Sequence, residues 1–66
     1  MTQHEELEAL VDRVGLRRTV EMLAEICRDK SEHIAVNWQD KRLADRWAAV
    51  SRKLDKVVPA ADWMGA

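Results

Sequence analysis

Cys27 and His33 are the two side chains here best suited to attack a substrate, relay a proton or hold a metal. A thiolate beside an imidazole makes a nucleophile with its base, and the same groups are zinc ligands. Their spacing works against both chemistries. Six positions along a helix, at about 100° per residue, turn the two side chains to different sides. Lys30 stands three before His33, where a Glu-x-x-His metal pattern has its carboxylate. One cysteine and two histidines cannot complete a four-ligand zinc site within one chain. Glu25, Asp29 and Glu32 read as solvating charges on helix faces, and Arg28 with Glu32 as an i,i+4 surface pair. There is no glycine-rich phosphate loop and no Ser/His/Asp pattern. The chain therefore reads as non-enzymatic, with no catalytic, cofactor-binding or metal-binding residue assigned. Cys27 is expected as a small core residue and His33 as a solvated one.

The remaining polar chemistry is ionic. Residues 1–12 carry Glu5, Glu6, Glu8 and Asp12 and no Lys or Arg. Residues 41–56 carry Lys41, Arg42, Arg46, Arg52, Lys53 and Lys56 against Asp45 and Asp55. Arg42, Arg46, Lys53 and Lys56 fall along one side of a helix. They could meet phosphates or an acidic partner, although a solvated face is the simpler reading. Arg17 and Arg18 open a second helix just after Gly15, so residues 7–23 resemble a helix-turn-helix corner. An ordinary αα-corner explains the same residues. The formal net charge of −1 argues against general affinity for nucleic acid or an anionic membrane. Nucleic-acid binding through Arg17, Arg18 and the basic stripe is thus the second-ranked expectation.

The elements that must position these groups are helices. β-branched residues are scattered rather than alternating, and no internal repeat breaks the chain. Thr2 followed by Glu5 is a capping box, and Leu7, Leu10, Val11 and Val14 then hold helical spacing up to Gly15. Helix 1 is expected at about 3–14, with a left-handed stop at Gly15. Val20, Leu23, Cys27, Ile34 and Trp38 share the next face, widened to one side by Met22 and Ile26. Leu43, Trp47, Val50, Leu54 and Val57 repeat at 4, 3, 4, 3, the pattern of a packed seam. These last two stripes would point to opposed sides of one straight helix. A turn near Asn37–Asp40, capped by Asn37 or Asp40, lets them meet; no Gly or Pro marks it, and one continuous helix is the alternative. Pro59 is expected to end helix 3, leaving residues 1–58 as one helical domain and 59–66 as a tail. That tail is expected to be loose, with Trp63 and Met64 folding back onto the bundle as the alternative.

The fold class is all-α: a short first helix and a longer antiparallel hairpin, assembling into a helical bundle. Sixty-six residues with one cysteine have no internal disulfide to stabilise a small core. The apolar supply exceeds what one hairpin can bury, so a homo-oligomer, most simply a dimer, is expected. Met22, Ile26, Ile34, Trp38 and Trp47 are its interface candidates, and an unidentified protein partner is the other possible occupant. The acidic start MTQHEELEAL lacks the regions of a secretory signal, and no apolar run is long enough for a bilayer. A cytoplasmic interaction or regulatory module without membrane contact is the resulting expectation.

Overall fold

Thr2 starts the first helix. Its backbone is extended, and its Oγ1 accepts the Glu5 N–H at 3.1 Å, which opens α1, Gln3–Val14. The same hydroxyl donates to Glu5 Oε1 at 3.1 Å, so the box closes between the two side chains. The computed structural model describes residues 2–63. Gly15 alone separates α1 from α2, Leu16–His33. Its φ of 90° and ψ of 154° lie in a region open essentially to glycine. The positive φ expected there is present, but ψ is extended rather than left-handed. Gly15 is buried, and its carbonyl accepts the Thr19 hydroxyl at 2.8 Å. No Cβ has to fit where α1 crosses α2.

The second break falls where the opposed stripes demanded one. Ile34–Trp38 widens into a π-helical turn, Gln39 takes a left-handed φ of 55°, and α3 follows as Lys41–Asp62. Asp40 Oδ1 accepts the Leu43 N–H at 3.1 Å and caps α3. Asn37 instead serves the helix before it, donating from Nδ2 to the His33 carbonyl at 3.1 Å. The protein is all-α, with no strand among the described residues, and α2 and α3 pack as a hairpin.

The end of α3 differs from the expectation. The helix runs through Pro59 to Asp62, and Ala61 is buried. In the final turn a proline removes one backbone bond but leaves few later turns to disturb. The burial of Ala61 holds the turn in place. Trp63 lies outside the hairpin at 89% exposure and does not fold back. Met64 lies outside the described residues.

The seam also differs. The residues that α3 buries are Ala44, Ser51 and Ala61, and none of Leu43, Trp47, Val50, Leu54 and Val57 is among them. Facing these three are Val20, Ala24 and Cys27 of α2, with Ile34 of the π turn. Two hydroxyls tie the helices together: Ser51 Oγ donates to the Ala24 carbonyl at 3.1 Å, and Ser31 Oγ to the Ala44 carbonyl at 2.7 Å. Such bonds between a side-chain oxygen and a facing main chain need closely spaced helices, and the small residues at the middle of the contact line, Ala24, Ser31, Ala44 and Ser51, permit that, while the larger Val20 and Ile34 stand nearer its ends. The large apolar residues of α3 are therefore displaced to its flank. Leu43, Trp47 and Leu54 are half-buried, while Val50 is 46% exposed.

Candidate interaction surface

The two flanks of the hairpin have opposite chemistry. On one, Arg28 Nη1 bridges the helices to Ser51 Oγ at 3.1 Å and to Asp55 Oδ2 at 3.1 Å. The i,i+4 pair with Glu32 expected from the sequence is replaced by this cross-helix contact. Near the open end of the hairpin, Arg17 reaches Glu21 and Asp62, both at 3.2 Å. At about 100° per residue, Arg17, Glu21 and Arg28 share one side of α2. Leu23 and Ile34 fall on the other side, and on α3 Leu43, Trp47, Val50, Leu54 and Val57 fall opposite Asp55. In an antiparallel hairpin these two apolar sides make a single face.

Among the described residues nothing covers that face. The molecule measures 38 × 30 × 12 Å with a radius of gyration of 13.7 Å, against about 11 Å for a compact domain of this length. It is one helix deep. α1 packs only on α2, touches α3 nowhere, and contains no buried residue. Leu10 and Val11 are half-buried against α2, whereas Leu7 projects into solvent. A shallow apolar groove of about 260 Å3, lined by Leu43, Arg46, Trp47 and Val50, lies on the N-terminal half of the open α3 flank.

The expected interface residues divide accordingly. Trp47 lines the groove. Ile26 is 50% exposed and Met22 half-buried, both on the side of α2 turned away from α3. Ile34 is buried in the seam and serves the hairpin itself. Trp38 is 65% exposed at the hairpin tip, where its ring meets His33 edge-on with centroids 6.4 Å apart. Val50 belongs to this surface and Leu54 is half-buried beside it, whereas the 4, 3, 4, 3 spacing places both in the seam. Their neighbours Ala44 and Ser51, seven apart like Ala24 and Ser31, were the available signal that small residues hold the contact line.

The residues proposed for phosphate contact differ in their ion pairing. Arg17 is held by Glu21 and Asp62, and Arg18 by Glu25 at 3.6 Å. Arg42, Arg46, Lys53 and Lys56 are exposed and without an ion pair among the described residues, on the outer side of α3. The join between α1 and α2 is a single residue, shorter than the three or four of a helix-turn-helix. Cys27 is buried and His33 exposed. Among the described residues no three His, Cys, Asp or Glu side chains lie together as a metal site requires, and no helix is long and apolar enough to cross a membrane. Compared with protein-family models, curated proteins and solved structures, the chain matches none.

Proposed function

We propose that the protein is a non-enzymatic interaction module that works as a homodimer, two layers meeting through the apolar face of the α2–α3 hairpin. The open groove of Leu43, Trp47 and Val50 on a layer one helix deep carries this reading. Areas support it. The chain exposes 5339 Å2, about 1,000 Å2 more than a compact monomer of its mass. A standard interface removes about 800 Å2 from each partner, so one such contact absorbs the excess. Two hairpins face to face make a four-helix core, and a second copy supplies the burial that so small a chain lacks. A single thiol suits a reducing, cytoplasmic setting.

Light scattering after size exclusion, across a hundredfold dilution, tests the assignment. The expected result is twice the chain mass of 7.6 kDa at high concentration, falling on dilution. A constant mass of one chain would overturn it. Fluorescence anisotropy with generic duplex DNA at low salt tests the competing nucleic-acid reading. Binding tighter than micromolar, with a steep salt slope, would displace the dimer assignment as the working function.

A further inference from the structure

α1 does little for its own hairpin. It has no buried residue, it reaches only α2, and Leu7 is half exposed. By helical geometry its apolar stripe is edged by Glu6 on one side and Glu8 on the other. Four carboxylates against Arg13 make it strongly acidic. The outer side of α3 is its complement. Arg46 and Lys53 border the exposed Val50 and Val57, and Arg42 and Lys56 extend the row. Within one chain the two surfaces cannot meet, because α2 lies between them.

We propose that α1 clasps a second copy of this chain, its Leu7 tip seated on the partner's α3 between Val50 and Val57, with Glu6 and Glu8 facing Arg46 and Lys53. The proposal rests on the dimer reading above and adds its geometry. Two layers can stack about an axis along the hairpin or across it. The second choice sets acidic α1 over α1 and basic α3 over α3. The first sets each α1 against the opposite α3, so charge selects it. The contact is isologous, made twice about the two-fold axis.

A charge-exchange experiment tests this, using exposed residues whose replacement leaves the seam intact. One variant carries Glu6→Lys and Glu8→Lys, and the other carries Arg46→Glu and Lys53→Glu. Each alone is expected to dimerise about tenfold more weakly than the parent, as several rim ion pairs become repulsive. An equimolar mixture is expected to return to the parent's affinity, because each copy then offers the partner opposite charges at both contacts. Recovery on mixing cannot arise from contacts within one chain. If the parent dimerises and both variants match it, or if mixing restores nothing, the clasp is overturned while the dimer stands. If the parent is a monomer throughout, the dimer reading fails and the clasp falls with it.

Discussion

The two faces of the α2–α3 hairpin differ in whether they are finished. On the ionic face Arg28 spans from α2 to Ser51 and Asp55, and Arg17 spans to Asp62. Every one of those charges finds its partner inside the chain. On the apolar face Leu23, Trp47 and Val50 find none sufficient to bury them. Both conditions follow from the small residues between them. Ala24, Ala44 and Ser51 let the helices approach until hydroxyls reach carbonyls, and the large side chains of α3 stand beside that stretch of the line. A tight seam thus creates an unsatisfied face. The tight seam and the exposed apolar face come from the same residue choices.

The strongest way to break the contrast is to remove the anchor of the open face. Trp47→Ala should weaken dimerisation by about 2–4 kcal/mol, as for a hot-spot aromatic, while the separated chains stay helical. Sedimentation equilibrium with circular dichroism reads both quantities. Equal association by parent and variant would move the interface elsewhere.

Ala44→Leu attacks the seam instead. Ala44 is 3% exposed, and its carbonyl receives the Ser31 hydroxyl. Overpacking should cost about 1–3 kcal/mol and lower the melting temperature by roughly 4–8 °C per kcal/mol. A variant that melts with the parent would mean that the helices are not closely apposed there.

Ser51→Ala is subtler. It removes the hydroxyl that donates to Ala24 and accepts from Arg28, at an expected cost of about 0.5–1.5 kcal/mol. Denaturant unfolding at constant protein concentration should show a lower midpoint with an unchanged slope.

The smallest effect is expected on the ionic face. Arg28 and Asp55 are about half exposed, so a double-mutant cycle of Arg28→Ala with Asp55→Ala should give roughly 0.2–1 kcal/mol, shrinking with added salt. A coupling several times larger would make this bridge, rather than the small-residue line, the main fastening of the hairpin.

Local features were legible along the chain. Thr2, Glu5 and Gly15 mark α1 because capping and positive φ act over a few residues. The break before Asp40 was legible because two apolar stripes on opposed sides of a straight rod cannot share one core. The run through Pro59 was not, since propensity ends a helix there and only the packing of Ala61 keeps it going.

The sequence by itself determined that there are helices, where they begin, and that the chain holds more apolar surface than one hairpin can hide. These follow from periodicity, caps and composition, which are local or additive. Only the tertiary structure decided which stripe became the seam. Leu43–Val57 and Ala44–Ser51 both keep heptad spacing on adjacent lines of α3, and hydrophobicity alone prefers the larger side chains. Helix–helix approach reversed that preference, since Ser31 and Ser51 reach facing carbonyls only when the residues between are small. It likewise sent Arg28 to Asp55 across 27 positions rather than to Glu32 one turn away, a choice that depends on where α3 lies and on nothing within α2.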